Sequence, residues 1–265
     1  MGVITNISLH EVQSIFPKYN FTHLVPTLSG IIDTTYIVSN EKESYILKKY
    51  ERNIPQKVEQ DKAYLQKLHM QGLNVPLCLD ANKGWYLYLK LKGKQPKNIK
   101  SYHIQALARF LAKLHMQTQK NKCISNSIME SELLQALHFT KQHYFSYYKR
   151  FVFLKHFTLK TDALIHGDIF KDNTIFNGKK IGVIDFIDAA CGTFAYDAAV
   201  ALVGFDARKH HHYFINLFLN TYNQHAPKKI TKEKLLYKMK IASHYYALKR
   251  VYTYKNTFRA KELLK

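Results

Sequence analysis

Acidic residues are scarce in this 265-residue chain: 19 Asp and Glu stand against 40 Lys and Arg, a formal charge of +21 with neutral histidines. Such a charge repels polycations at long range and attracts polyanions. Cysteine is sparse too. Cys78, Cys123 and Cys191 are odd in number, far apart and free of any C-x-x-C spacing, which argues against a disulfide framework and a zinc site and implies a reducing compartment. No stretch approaches the ~18 uncharged apolar residues of a membrane span, and the opening MGVITNISLHEV lacks a basic head followed by an apolar run. A cytoplasmic location is therefore expected. The chain has no internal repeat and no low-complexity linker, whereas 46% hydrophobic and 14% aromatic residues give it enough apolar surface for a sizeable core. The length fits two lobes.

The first ninety residues read as strands around one helix. The runs Thr34 to Ser39 and Ser44 to Tyr50 flank the polar tetrad Asn40 to Glu43, the pattern of a hairpin. A helix is predicted from about Pro55, with Val58, Asp61, Leu65 and Leu68 on one face and Gly72 closing it. Trp85 to Leu91 reads as a further strand. After Gly93 and Pro96 the character turns helical, so the expected division is residues 1–92, a small sheet with one helix, and residues 93–265. In the second part Ile104, Leu107, Leu111 and Leu114 stripe a helix beginning near Ser101, and the S-x-x-E spacing of Ser127 and Glu130 predicts a capping box opening a long helix past Tyr144.

One return to strands carries the chemistry: LIHGDIFKDNTIFNGKKIGVIDF, from Leu164 to Phe186. Thr174 to Phe176 and Ile181 to Ile184 are joined through Asn177-Gly178, a dipeptide that accepts the positive φ angles of a tight hairpin turn. The hairpin carries Asn173 at one foot and Asp185 at the other, with Asp168 on the loop before it. His166-Gly167-Asp168 and Asn173 have the form H-x-D-x-x-x-x-N, and Ile184-Asp185-Phe186 follows. Protein kinases use this order for phosphoryl transfer: the first Asp accepts the proton of the attacking hydroxyl, and the Asn and later Asp hold Mg²⁺ on the nucleotide phosphates. The reaction needs hard oxygen ligands and a nearby carboxylate held in line with the nucleophile.

The segment resembles the aminoglycoside phosphotransferase and choline kinase superfamily, and within it H-G-D-I-F-K-D-N is similar to the homoserine kinases of that fold, which typically show H-G-D-L-F-x-D-N followed by I-D-F. The opening residues, Gly30 to Tyr36, Ser44 to Glu51 and Tyr196-Asp197 carry the same resemblance. It implies an α+β, bilobal protein-kinase-like fold, with a small antiparallel-sheet N-lobe and a mostly helical C-lobe holding the catalytic hairpin. It further implies transfer of the γ-phosphate of ATP to L-homoserine, giving O-phosphohomoserine on the route to threonine, with Asp168 as catalytic base and Asn173 and Asp185 as Mg²⁺ ligands. Lys48 stands where kinases place the lysine that pairs with the α- and β-phosphates, and alternation puts it on the face of Ile46, opposite Lys49. For the helical acid that orients such a lysine, Asp61 is favoured over Glu59 because it shares the face of Leu65 and Leu68. Gly30 would let the first hairpin approach the phosphates, although GIIDTTY holds one glycine and places Asp33 and Thr35 where the family often has Asn.

Other residues read as scaffold. His166 and Asp197 are expected to hold the loop, Lys171 to be exposed, and His210 to His212 to form a solvated helix start. From Lys228 to Lys265 there are twelve Lys or Arg and two acids. With no helix-turn-helix, zinc-finger or aromatic RNA-binding signature, this basic region reads as the solvated face of helices rather than a nucleic-acid surface. The overall charge disfavours polycationic aminoglycosides and favours ATP with a small hydroxyl substrate. Rival readings are a kinase for another small alcohol or amino alcohol, choline-like or aminoglycoside-like, and an inactive kinase fold serving as a basic scaffold.

Overall fold

The computed structural model describes residues 3–27, 32–119, 127–156, 161–207 and 212–264, with the side chains of 127–131 left aside. The chain divides into two compact units, residues 1–93 with 182–187, and residues 94–181 with 188–265.

The first unit is built on a five-stranded antiparallel sheet: β1 (His23–Pro26), β2 (Thr34–Ser39), β3 (Ser44–Lys49), β4 (Cys78–Asn82) and β5 (Trp85–Leu89), in the order β1-β2-β3-β5-β4. The expected hairpin is β2–β3, closed because Asn40 Oδ1 accepts the amides of Lys42 and Glu43 at 3.0 and 2.9 Å. β4 and β5 turn through Lys83 and Gly84, both at positive φ (51° and 77°), the conformation a two-residue hairpin loop demands. Alternation along β3 sends Tyr45 and Leu47 into a core shared with Tyr36, Val38, Trp85 and Leu87, while Ile46 and Lys48 face the other side.

That core is capped by a helix the sequence reading does not contain, α1 (Leu9–Ile15), which contributes Val12 and leads to Phe16. Its start is a complete capping box: the Glu11 amide donates to Ser8 Oγ at 3.2 Å, and the Ser8 amide donates to Glu11 Oε2 at 2.8 Å. Helix α2 (Pro55–Met70) begins with Pro55 in its first turn and buries Val58, Asp61, Leu65 and Leu68, the face the spacing predicts. Residues Gly182–Ile187 group with this unit: the Val183 amide donates to the Asn74 carbonyl at 3.1 Å, and the rings of Phe186 and Tyr64 meet edge to face.

The second unit is mainly helical. Its helices are α3 (Ser101–Thr118), α4 (Ser127–His143), α5 (Phe145–Phe151), α6 (Phe194–Gly204), α7 (Tyr213–Tyr222), α8 (Lys232–Tyr254) and α9 (Thr257–Leu263). Ile104, Leu107, Leu111 and Leu114 of α3 are fully buried, as the stripe requires. The long helix predicted from Ser127 stops at His143, because Tyr144 adopts φ −142°, ψ 57° and the chain restarts as α5. The side chains of the predicted Ser127–Glu130 box lie outside the described residues. Helix α6 is buried at every position, so it shows no amphipathic pattern. On α8, Leu235, Met239 and Ile241 are buried while Lys234, Lys240 and Lys249 are exposed, the solvated basic face expected.

Short strands complete the unit. β6 (Ala163–Ile165) pairs antiparallel with β9 (Ala190–Gly192), and β7 (Thr174–Asn177) neighbours β8 (Lys180–Val183) across the Asn177-Gly178 turn, where Gly178 has φ 58°. Cys78, at the start of β4, is a free thiol. Among the described residues no helix is long and apolar enough to cross a membrane.

Removing the α1 cap tests the energetic role of that helix. Ser8→Ala is expected to lower unfolding stability by about 1 kcal/mol in urea titrations, the usual loss for an N-cap hydroxyl.

Candidate active site

In the second unit, β6 runs directly into His166-Gly167-Asp168, and the backbone of that turn is held by one buried carboxylate. Asp197 is the only charged residue of α6 and is wholly buried. Its Oδ1 accepts the Gly167 amide at 2.8 Å, and its Oδ2 accepts the His166 amide at 3.2 Å and His115 Nε2 at 3.0 Å. His115 is itself inaccessible, and its Nδ1 meets Tyr222 Oη at 2.7 Å, so the phenol donates when Nε2 carries the proton. Burial opposes the charge on Asp197, yet the hydrogen bond and charge of His115, with the Gly167 amide, hold its pKa below the ordinary aspartate value.

From the opposite side the Tyr246 hydroxyl donates to the Gly167 carbonyl. Gly167 has φ 75°, a left-handed conformation that costs a glycine nothing and permits both contacts. Burial, followed by the negative charge of Asp168, pushes the Tyr246 phenol well above its usual pKa, so it remains a proton donor to the loop.

The loop closes on itself beyond this point. The Asp168 amide donates to His166 Nδ1 at 3.2 Å, which fixes the buried imidazole as a scaffold group. Asn173 Nδ2 donates to the Asp168 carbonyl at 2.8 Å and lies 3.4 Å from Asp168 Oδ2. The structure thus brings Asp168 and Asn173 together, both half-buried. Lys171, expected to be exposed, is only partly so and pairs with Asp206 at 2.7 Å. Gly204, at the end of α6, permits close approach of the loop: a Cβ there would stand 2.8 Å from the Phe170 Cα.

In the first unit, Lys48 gathers two carboxylates. Its Nζ lies 3.3 Å from Asp185 Oδ1 and 3.4 Å from Asp33 Oδ2, and 4.5 Å from the centroid of the Tyr50 ring. Asp185 holds φ 67°, an uncommon conformation for a residue with a Cβ and one that concentrates at functional sites. Tyr50 and Tyr88 share a hydrogen bond of 3.0 Å under the lysine, and burial raises the Tyr50 phenol pKa far above its usual value.

Asp61 does not take the place expected for it. It is buried on α2, but the ion partners of Lys48 among the described residues are Asp33 and Asp185. Glu59 pairs instead with Lys62 at 2.9 Å. Helical periodicity identifies the face an acid occupies, not whether the lysine of a neighbouring strand reaches it. Gly30, and His210 and His211, lie outside the described residues.

The donor set suits a hard cation. Among the described residues no cluster of three or more His, Cys, Asp and Glu is assembled for a metal. Asn173 commits its Nδ2 to Asp168, which leaves the amide oxygen, a hard donor, as its uncommitted group, and the Asp185 carboxylate is half exposed. Each residue, within its own unit, thus presents a hard oxygen donor of the kind Mg²⁺ takes.

Residues 23–222 match the profile of the phosphotransferase enzyme family. The chain belongs to that family. This phosphotransferase is 24% identical over 224 residues to the homoserine kinase of Methylobacillus flagellatus, covering 76% of the chain and 70% of the relative. Among solved structures it resembles amicoumacin kinase hAmiN in complex with AMP-PNP, Ca²⁺ and Ami, with a TM-score of 0.71, 16% identity and coverage of 97% and 89% of the two chains. It also resembles choline kinase LicA from Streptococcus pneumoniae, with a TM-score of 0.69, 15% identity and 96% coverage of both. The fold is therefore the mixed helix-and-sheet fold of the kinase-like phosphotransferases, and the enzyme takes a hydroxyl group as acceptor.

Two participants escaped the sequence reading of this phosphotransferase. His115 closes the helical stripe of α3 and reads as one more helical polar residue, since its link to Asp197 spans 82 positions. Asp33 was legible only as a departure from the family's Asn.

Asp197→Ala is expected to cost about 3–5 kcal/mol at pH 7, because it strips partners from buried amides and an imidazole. Since folding depresses the Asp197 pKa, its contribution is fully present above the ordinary value of 3.8 and is lost as pH falls through the lower folded value. Urea titrations should show a constant gap between wild type and Asp197→Asn from neutral pH down to about pH 5, narrowing in more acidic buffer.

Proposed function

We propose that this phosphotransferase moves the γ-phosphate of ATP onto the side-chain hydroxyl of L-homoserine. The observation that carries the reading is the loop from His166 to Asn173, where Asp168 sits beside the Asn173 amide on a backbone pinned by Asp197 and Tyr246. The homoserine assignment is supported by the wording H-G-D-I-F-K-D-N and by relatives named homoserine kinase. A cytoplasmic enzyme forming O-phosphohomoserine on the route to threonine fits that assignment.

In this reading Asp168 is the catalytic base. It accepts the hydroxyl proton as the substrate oxygen attacks phosphorus, the bond from phosphorus to the β-γ bridging oxygen breaks, and ADP departs. Asn173 and Asp185 would hold Mg²⁺ through oxygen atoms. Bound Mg²⁺ supplies neutralisation of the phosphate charge. Lys48 binds the α- and β-phosphates as a point charge. His166 and Asp197 do no chemistry; they keep the Asp168 backbone from moving, which matters because an ångström of misplacement can cost a hundredfold in rate.

Asp168→Asn is expected to lower kcat by about 10²- to 10⁴-fold while Mg-ATP affinity stays close to wild type. Near-normal turnover would remove the base assignment. Asp185→Ala is expected to abolish the Mg²⁺ dependence of nucleotide binding in calorimetry. For the acceptor, thermal shifts with Mg-ATP should be largest with L-homoserine; a larger shift with choline or an aminoglycoside would transfer the assignment to that alcohol.

A further inference from the structure

In kinase folds the phosphate-binding lysine is oriented by an acid on the helix that follows its strand. Here Lys48 turns elsewhere. β2 and β3 pair with Thr35 opposite Lys48 and Thr34 opposite Lys49, so Asp33, one residue ahead of β2, lies diagonal to Lys48 on the same face. Its carboxylate is aimed by the backbone: the Glu51 amide donates to Oδ1 at 3.2 Å, which leaves Oδ2 for the cations. That oxygen lies 3.4 Å from Lys48 Nζ and 3.8 Å from an Arg52 nitrogen.

Burial makes this pair more than a surface contact. The Asp33 side chain is 8% exposed and that of Lys48 18%, whereas the helical pair Glu59–Lys62 has its carboxylate 61% exposed. A carboxylate withdrawn from water with its lysine, and fixed by a peptide N–H, holds the ammonium in place where a solvated pair would not. The second partner of Lys48, Asp185, is the proposed metal ligand and is 45% exposed. The two carboxylates are therefore unequal: one is built into the strand entry, and the other is open to exchange the lysine for a cation.

We propose that Asp33 is the positioning residue for Lys48, a carboxylate contributed by the entry to β2 in the role that kinase folds give to a helical acid. It holds the ammonium at the place where Lys48 meets the nucleotide phosphates, so that Asp185 can release the lysine without its swinging into solvent. The inference rests on the nucleotide-binding role proposed for Lys48.

The test is a double-mutant cycle on Mg-ATP affinity, measured by calorimetry without any acceptor. Asp33→Asn is expected to weaken Mg-ATP binding about tenfold in the wild-type background and less than about twofold in a Lys48→Met background, the coupling expected of residues acting as one unit. Equal weakening in both backgrounds would mean that Asp33 merely supports the strand entry, and unchanged affinity would mean it does nothing for the nucleotide; either overturns the proposal. If circular dichroism shows Asp33→Asn unfolded, Asp33→Ser is carried through the same cycle with the same criteria. Wild-type protein that binds Mg-ATP but phosphorylates no hydroxyl would overturn the proposed function and leave the Asp33 cycle decisive. Wild-type protein that binds no Mg-ATP would overturn both.

Discussion

A single carboxylate, removed from water, organises the loop from His166 to Asn173 in the helical unit. Asp197 is desolvated on α6, and such a charge is tolerated only if it is fully partnered. Its partners are the amides of His166 and Gly167 and the imidazole of His115, which in turn meets Tyr222. Three helices, α3, α6 and α7, thereby converge on two peptide groups. The arrangement is costly to break from any side, since losing one partner leaves a buried charge or amide unmet. The position of Asp168 follows from this network, because its own backbone is continuous with the two amides that Asp197 grips.

Lys48 presents the opposite design. Its ammonium is shared between a buried carboxylate and a half-exposed one, over the face of a tyrosine ring. A cation divided between a buried and a half-exposed partner can lose the exposed one at little cost, whereas a desolvated network must keep every contact. Fixed geometry thus belongs to the residue proposed to handle the proton, and exchangeable pairing to the residue proposed to bind phosphate.

The sequence exposed the parts of this protein whose signals are local. The β2–β3 hairpin, the buried face of α2, the stripe of α3 and the order of Asp168, Asn173 and Asp185 all sit within windows that strand alternation, helical spacing or turn chemistry can read. Ser8 and Glu11 carry a local signal, the S-x-x-E spacing of a capping box, as plain as that of Ser127 and Glu130. β1 and β4 lacked one, since edge strands with mostly exposed residues show no alternation. The remainder is non-local. That Lys48 reaches Asp33 rather than Asp61 depends on strand register, and that His115 meets Asp197 depends on two helices packing. Side-chain periodicity encodes which way a residue faces and is silent on whom it meets.

Helix α6 offers no surface to water along its length. A chain that has accumulated lysine so heavily can accommodate it where a four-carbon stem ends in solvent, as on the outer side of α8. The segment Phe194–Gly204 has no such side, and it holds apolar residues around one acid. Charge is therefore sorted by depth within this unit: the outer side of α8 is cationic, while α6 keeps its solitary negative charge away from water.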